Sequence, residues 1–311
     1  AAPSGAFREM DVTVGSGEWA TPGTLSLPTG SGPFPGVVLV HGSGPNDRDE
    51  TIGPNKPFRD LAWGLANLGV AVLRYDKRTL THGSKIAVSP ALMEYFTLQQ
   101  ETVEDALAAV RLLRLNPAID PARIYVLGHS LGGTAAPRIA QQDSQLAGII
   151  LLAGSPRPLE DLMVEQYTYI FSLNGGPTAE QTSQLEAIKT QVARIKDTNL
   201  DPKTPPKDLM GANAAYWLDL RSYKPAEVVA SLATRVLVLQ GERDYQVLAA
   251  RDFAAWKTAL AGKANAAFKL YPALNHLFIS GEGPSTPQEY EKAGQVSAEV
   301  IKDIVDWIIK K

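Results

Sequence analysis

The stretch Arg123-Ile-Tyr-Val-Leu-Gly-His-Ser-Leu-Gly132 decides the fold. Its first five residues predict a buried strand, and a helix is predicted to begin near Leu131. Between the two, Gly128-His-Ser-Leu-Gly132 matches the G-x-S-x-G pattern. The pattern alone is short, but a strand, a sharp turn and a helix in that order make the match specific. The stretch therefore predicts a strand whose end presents Ser130 at the start of a helix.

The two glycines of this pattern have a steric role. Ser130 must lie in a strained turn that projects its hydroxyl from the strand end, and a side chain at position 128 or 132 would collide with neighbouring backbone. The helix start places its positive dipole end near any negative charge that develops there. We therefore expect Ser130 to be a catalytic nucleophile rather than a plain helix cap. His129 is expected to point away from Ser130 and to serve in packing.

The rest of the chain alternates strands with helices, which predicts an α/β fold with a mostly parallel eight-stranded sheet covered on both faces. An antiparallel hairpin is expected at its start. A final helix is predicted from about Pro287 to Lys310, with Thr286 as its cap and Glu289 completing a capping box. The predicted strands are Arg8–Val14, Gly23–Leu27, Pro35–Val40, Gly69–Leu73, Arg123–Leu127, Ala147–Leu152, Arg235–Leu239 and Phe268–Tyr271.

One region breaks the alternation. Residues 155–233 contain no convincing strand, and roughly eighty residues are far more than a usual connection between strands. Helical patterns within them predict a helical insertion into a core made of residues 1–154 and 234–311. Two interpretations stay open, a structural elaboration and a lid that supplies the substrate pocket. For a lid, the candidate wall residues are Tyr167, Tyr169, Phe171 and Trp217.

Composition excludes several classes of function. The net charge is −3 with acidic and basic residues mixed along the chain, which argues against a nucleic-acid partner because phosphate binding needs clustered Lys and Arg. No apolar stretch approaches the length of a transmembrane helix. Cysteine is absent and no pair of the four histidines has metal-ligand spacing on a predicted helix, so we expect no metal site. The oligomeric state is left open.

The first residues, Ala-Ala-Pro-Ser-Gly, leave localisation open. Small residues flank signal-peptide cleavage sites, so the start fits an exported protein after processing. A trimmed cytoplasmic protein would look the same.

A serine nucleophile needs a base and an acid that orients the base. Enzymes with this strand–turn–helix motif place them after the nucleophile in the order acid, then histidine. Only His276 lies far enough beyond Ser130, in a loop after the last predicted strand, whereas His82 is expected to be an ordinary loop residue. Asp244 and Glu242 both follow the preceding strand and are candidates for the acid. Asp252, farther along, is a weaker one.

The oxyanion hole is expected in the loop His41-Gly-Ser-Gly-Pro45, which follows the strand Pro35–Val40. Backbone N–H groups must approach the oxyanion closely, and glycines allow this. The predicted donors are the amides of Ser43 and Leu131, and His41 is expected to stabilise the loop through hydrogen bonds. A plain Gly-Pro turn is the alternative. A phosphate cradle is excluded because neither phosphate-binding glycine pattern is present.

Several segments resemble bacterial α/β-hydrolases of the serine carboxylesterase type, in the branch that also holds acyl-transfer and dienelactone-hydrolase-like proteins. The resemblance spans about residues 7–311 and implies the α/β-hydrolase fold, hydrolysis of short-chain carboxylic esters without a cofactor, and a helical cap after the sixth strand. The form G-x-x-D favours Asp244 over Glu242. The segments are His41-Gly-Ser-Gly-Pro-Asn-Asp-Arg-Asp49, Arg74-Tyr-Asp-Lys-Arg78, Gly128-His-Ser-Leu-Gly-Gly133, Gly241-Glu-Arg-Asp244 and Asn275-His276.

Departures from the resemblance narrow the chemistry. Dienelactone hydrolases proper use a cysteine nucleophile, and this chain has no cysteine. Dehalogenases and epoxide hydrolases of this fold use an aspartate where Ser130 stands. Both groups of enzymes are therefore excluded. A thioesterase, a small-peptide or amide hydrolase, and a catalytically silent binding protein on this fold stay as alternatives.

Five charged residues could form an ion-pair network that braces the oxyanion loop, or could be solvated separately: Asp47, Arg48, Asp49, Asp76 and Arg78.

Overall fold

Eight strands form a single sheet in the computed structural model, which describes residues 5–310 without the side chains of residues 90, 91 and 174. Residues 1–4, on which the expectation of export mainly rests, lie outside this range. The strand order is β1-β2-β4-β3-β5-β6-β7-β8. The strands are β1 Phe7–Val14, β2 Thr21–Pro28, β3 Phe34–Val40, β4 Ala71–Tyr75, β5 Ile119–His129, β6 Gly148–Leu152, β7 Arg235–Gly241 and β8 Ala266–Tyr271.

The sheet is parallel from β4 to β8, and β2 runs antiparallel to both of its neighbours. The predicted α/β-hydrolase fold, with its mostly parallel sheet and its antiparallel start, is therefore confirmed. The α-helices among the described residues are α1 Pro57–Asn67, α2 Arg78–Thr81, α3 Gly83–Ala87, α4 Pro90–Tyr95, α5 Glu104–Arg114, α6 Leu131–Gln142, α7 Leu159–Ser172, α8 Ala179–Lys196, α9 Ala214–Ser222, α10 Pro225–Ser231, α11 Ala254–Ala259 and α12 Ala298–Ile309.

Helices cover both faces of the sheet because its central strands are apolar on both sides. Along β3, Val37 and Leu39 pack into one layer, whereas Val38 and Val40 pack into the other. The first layer is closed by α1 and α12, and the second by α5, α6 and α11. Burial on both faces explains why these strands read as continuous aliphatic runs rather than as alternating ones. Each described helix is too short or too polar to span a lipid bilayer.

The chain between β6 and β7 is helical, as its sequence pattern predicts. It contains α7, α8, α9 and α10, and α10 returns to pack on α6 and α11. In the segment that follows β4, the helices α2, α3 and α4 precede a π-helical turn over Gln99–Val103. The helix α5 begins directly after this turn, at Glu104.

The predicted final helix is wrong at its start. Residues Pro287–Glu291 form a separate 3₁₀ turn, and α12 begins only after Ser297, whose hydroxyl accepts a hydrogen bond from the amide of Glu299. The proposed cap Thr286 makes no side-chain cap bond. The carboxylate of Glu289, needed for a capping box, instead binds the side chains of Arg243, Asn275 and Ser285.

A buried asparagine holds the non-helical segment between the 3₁₀ turn and α12. The side chain of Asn55 donates to the carbonyls of Tyr290 at 2.9 Å and Lys292 at 3.1 Å, and accepts from the amide of Gly294 at 2.7 Å. These bonds satisfy backbone groups that a continuous helix would have paired internally. A contact distant in sequence thus overrides the local helical pattern.

The variant Asn55→Ala is expected to lower the free energy of unfolding by about 3 kcal/mol, since it removes three hydrogen bonds of a buried side chain, of about 1 kcal/mol each. Urea denaturation measures the change. Asn199→Ala, at an exposed asparagine whose side chain forms no hydrogen bond within residues 5–310, is the control and should match the wild type. Equal stabilities of the two variants would contradict this account of the C-terminal segment.

Candidate active site

Ser130 lies in the sharp turn between β5 and α6. Its backbone has φ 54° and ψ −118°, an uncommon conformation for a residue other than glycine. A Cβ at Gly128 would lie 2.1 Å from the carbonyl oxygen of Gly132, and a Cβ at Gly132 would lie 2.1 Å from the carbonyl oxygen of Val40. The turn therefore requires glycine at both positions, and the steric role predicted for them has a structural basis.

Asp244 and His276 are brought together at the ends of β7 and β8. His276 Nδ1 lies 2.7 Å from Asp244 Oδ2. Both side chains are buried. The same carboxylate accepts from the amides of Gln246 and Val247 at 2.8 and 3.0 Å, and from the side chain of Gln240 at 2.9 Å. A carboxylate oxygen accepts hydrogen bonds, so Nδ1 of the imidazole carries the proton and Nε2 is the ring nitrogen left without one.

The two other candidate acids are occupied differently. Glu242 is exposed, and no bond joins it to His276. Asp252 is buried, but its carboxylate accepts from the hydroxyl of Ser155 at 2.5 Å and from the guanidinium of Arg157. The geometry thus favours Asp244 as the partner of the histidine.

His276 lies against the residue that precedes Ser130. The His129 and His276 ring centroids are 4.8 Å apart, and His129 Nε2 donates to the carbonyl oxygen of His276 at 3.0 Å. The turn and the histidine loop are therefore bonded to each other directly.

His129 does more than the packing expected of it. Its Nδ1 lies 2.8 Å from Oε2 of Glu50, in an ion pair whose atoms are not aligned for a hydrogen bond. Burial by itself lowers the pKa of His129, but the Glu50 carboxylate outweighs burial and raises that pKa above its ordinary value of 6.5. The Glu50 carboxylate therefore favours the protonated form of His129, the residue next to Ser130.

The predicted oxyanion loop lies beside Ser130. A Cβ at Gly42 would be 3.2 Å from Cβ of Ser130. The amide of Gly42 donates to Glu50 Oε1 at 2.7 Å, and the carbonyl oxygen of Gly42 accepts from Nζ of Lys77 at 2.7 Å. Ser43 and Leu131, whose amides are the predicted donors, line the same cavity as Ser130.

His41 packs against aromatic rings beside the loop, and its side chain also forms a hydrogen bond with the backbone of Asp47, as expected of it. Its ring lies 5.1 Å from that of Phe58 and 5.3 Å from that of Tyr75, and its Nε2 has no partner among the described residues. Burial lowers the pKa of His41 to about 4, so the ring is neutral at pH 7.

The five charged residues noted in the sequence are paired, but not as one network. Arg48 binds Asp76 through two nitrogens, and Asp49 binds the side chains of Lys56 and Arg74. Asp47 accepts from Thr51, and Arg78 binds Glu104 and Asp105. Sequence patterns missed the charged groups nearest the oxyanion loop, which are Glu50 and Lys77. Lys77 stands inside a segment that carries the resemblance and Glu50 directly follows another, so their position was a signal left unused.

A cavity of about 770 Å³ opens at Ser130. Most of its wall comes from the chain between β6 and β7, and it includes Tyr167 and Trp217. Tyr169 and Phe171 do not line it, which corrects the predicted set. The Tyr169 hydroxyl donates to the carbonyl oxygen of Ser285 while its ring stacks on Tyr245, and Phe171 is buried behind Tyr167.

Known proteins resemble this chain in sequence and in fold. Residues 37–301 match the model of the alpha/beta hydrolase family. Esterase EstD of Thermotoga maritima is 44% identical over 306 residues, which are 98% of this chain and 68% of that protein. Est1E from Butyrivibrio proteoclasticus is 17% identical with a TM-score of 0.58, over 97% of this chain and 99% of that one. A hyperthermophilic esterase from the archaeon Pyrobaculum calidifontis is 17% identical with a TM-score of 0.57, over 97% and 85%.

The two solved structures share the fold at low identity, while the family model and the EstD match cover most of the sequence itself. The resemblance first seen in the motifs is thus confirmed, and the chain belongs to the alpha/beta hydrolase family.

Proposed function

We propose that the protein is a carboxylic ester hydrolase that acts on short-chain acyl esters through a Ser130–His276–Asp244 triad. The observation that carries the proposal is the bonded His276–Asp244 pair held against the strained turn that presents Ser130. The similarity to esterase EstD supports ester hydrolysis as the activity.

The first step forms an acyl-enzyme. Nε2 of His276 takes the proton of the Ser130 hydroxyl as its oxygen bonds to the ester carbonyl carbon, and the electrons of the C=O bond move onto oxygen. The amides of Ser43 and Leu131 receive this oxyanion. The leaving alcohol departs with the proton from the histidine. Water then repeats the sequence with the same base and releases the acid.

Asp244 acts on this cycle through His276. Its carboxylate keeps the imidazole in the tautomer with a free Nε2 and stabilises the imidazolium that forms in each step. Three further donors, the amides of Gln246 and Val247 and the side chain of Gln240, hold the carboxylate in place. The base is therefore oriented before the substrate arrives.

The helical residues 155–233 are proposed to form a cap over a core of residues 1–154 and 234–311. Support comes from the cavity at Ser130, whose wall is mostly drawn from this segment. Tyr167 and Trp217 stay as proposed substrate contacts. A cap that builds the wall would decide which acyl groups fit, while the triad carries out the same chemistry on each.

Thioesters and amides need the same triad, so they remain alternative substrates of this site. No specific feature of the described residues favours either over an oxygen ester. A catalytically silent binding protein is the alternative of another class, and the complete set of side chains at the site weighs against it.

Ser130→Ala is expected to lower kcat for p-nitrophenyl butyrate by a factor on the order of 10⁴ or more, since it removes the nucleophile. Steady-state kinetics measure the loss. Ser183→Ala, on the exposed face of α8, is the matched control and should retain wild-type rates. Unchanged turnover in Ser130→Ala would disprove the assignment, and an inactive wild type would favour the silent binder.

Asp244→Asn is expected to lower kcat by a factor on the order of 10⁴, because an amide at this position favours the wrong tautomer of His276. Glu242→Gln, the equivalent change at the exposed neighbouring candidate, should leave kcat unchanged. The reverse ranking of the two variants would assign the acid to Glu242.

A cavity of about 770 Å³ leaves room beyond an acetyl group. From acetate to butyrate, kcat/KM of p-nitrophenyl esters is expected to rise by about fourfold per added CH₂, because burying each one contributes about 0.8 kcal/mol. A panel of esters of increasing chain length locates the maximum. A monotonic fall from acetate onward would show that the acyl group does not enter this cavity.

A further inference from the structure

A buried lysine lies directly behind the predicted oxyanion hole. Lys77 follows β4, and its side chain is only 2% exposed. The ammonium donates to the carbonyl oxygen of Gly42 at 2.7 Å and to Oε1 of Glu101 at 2.7 Å. Burying an ammonium is costly unless it is paired and hydrogen-bonded. Both conditions are met here, and one of the two partners is the oxyanion loop itself.

The carbonyl that Lys77 holds belongs to the same peptide unit as the predicted donor. The C=O of Gly42 and the N–H of Ser43 share one amide plane, and this peptide is trans. In a trans peptide the C=O and the N–H point in opposite directions. An ammonium fixed at the oxygen therefore aims the Ser43 N–H the other way. No acceptor for this N–H is found within residues 5–310, and Ser43 lines the cavity together with Ser130.

The positive charge has a second effect on the same amide. A cation at a carbonyl oxygen draws electron density from the amide, which makes its N–H a stronger hydrogen-bond donor. Donors to the oxyanion contribute most where they are oriented in advance in a site of low dielectric constant. On the other side of Gly42, the carboxylate of Glu50 accepts the amide N–H at 2.7 Å. Two buried groups of opposite charge thus hold the consecutive peptides of the loop.

Glu101, the counter-charge of Lys77, also bonds a helix of the segment between β6 and β7. Glu101, in the π-helical turn after α4, accepts from Lys77 on Oε1 and from the Tyr216 hydroxyl on Oε2 at 2.6 Å. Tyr216 belongs to α9, and both Tyr216 and Glu101 line the cavity. Burial and the neighbouring Glu101 carboxylate raise the pKa of Tyr216 well above its ordinary value, so the hydroxyl remains a donor.

We propose that Lys77 is a positioning residue that orients and polarises the Gly42–Ser43 peptide as an oxyanion donor. Glu101 and Tyr216 connect Lys77 to the proposed cap through hydrogen bonds and so fix its position. The inference rests on the proposed function of Ser130. Under it, the chain Tyr216–Glu101–Lys77–Gly42 connects the wall of the acyl cavity to the donor that stabilises the transition state.

Two variants test the chain. Lys77→Met combined with Glu101→Gln removes both buried charges, so neither is left unpaired. Tyr216→Phe removes only the hydroxyl. Tyr271→Phe is the matched control. The hydroxyl of this buried tyrosine also donates a hydrogen bond to a carboxylate, that of Asp303 at 2.8 Å, but it lies away from the cavity.

Kinetics with p-nitrophenyl butyrate separate positioning from binding. The double variant is expected to lower kcat by about 10- to 100-fold, part of the roughly 10²- to 10³-fold that loss of a whole oxyanion donor costs. Its KM should change by less than about threefold, because the donor acts mainly in the transition state. Tyr216→Phe should lower kcat by about 3- to 10-fold, and Tyr271→Phe by less than about twofold.

A trifluoromethyl ketone supplies a readout that a merely structural role would not change. Ser130 adds to its carbonyl carbon, the serine proton passes to His276, and the carbonyl oxygen becomes an oxyanion in the hole. Its inhibition constant should rise by the same factor as kcat/KM falls in each variant, since both depend on the oxyanion donors. The control variant should leave the inhibition constant unchanged.

The proposal is overturned if the folded double variant keeps wild-type kcat, or if kcat falls while ketone affinity stays the same. If circular dichroism shows that the double variant does not fold, Tyr216→Phe decides alone, and kcat equal to that of Tyr271→Phe overturns the proposal. Failure of the proposed function is a separate result, because it requires an inactive wild type or an active Ser130→Ala.

Discussion

The close approach of β3, β5 and α6 at Ser130 is the constraint on which the site depends. A Cβ at either glycine flanking the serine turn would overlap backbone atoms at 2.1 Å. This contact keeps the backbone of Ser130 in an unfavourable conformation, and a local strain of this kind persists only when the surrounding structure enforces it. The same contact places the loop after β3 beside the serine. One packing requirement therefore fixes Ser130, the proposed nucleophile, and the predicted oxyanion loop together.

Buried charges hold the loops around this turn. Glu50 contacts both His129, which precedes Ser130, and the amide of Gly42. Lys77 donates a hydrogen bond to the carbonyl oxygen of Gly42. Buried ion pairs contribute little net stability, because desolvation offsets most of their attraction. Their position suits a role in fixing geometry, since Glu50 and Lys77 each bond a backbone group of Gly42 in the predicted oxyanion loop rather than only another side chain.

The sequence predicted the fold well because its strongest signals are local. The buried strands are continuous aliphatic runs, and the serine turn needs glycines at fixed spacing. The final helix could not be placed from local pattern, since Asn55, more than two hundred residues away in sequence, holds the backbone of residues 290–294 out of a helix. Tyr169 and Phe171 fail as wall residues for a related reason. The spacing of aromatic residues along a helix does not determine which neighbouring residues cover each ring.

Only part of the site could be predicted, because local signals identify some of its residues and not the others. Ser130, Asp244 and His276 follow strand ends, and the carboxyl ends of parallel strands meet at one edge of the sheet. Lys77, Glu101 and Tyr216 come from a loop, a π-helical turn and an inserted helix, and their meeting depends on tertiary packing. Their side chains also lack any spacing that would distinguish them from ordinary surface charges and helix aromatics.

The central claim is that Ser130 is an activated nucleophile facing the cavity. Its most direct test is reaction with a fluorophosphonate probe, followed by mass spectrometry of the digested protein to locate the adduct. One adduct is expected, on Ser130, and prior heat denaturation should prevent its formation. Labelling of a different residue, or no labelling of the folded protein, would contradict it.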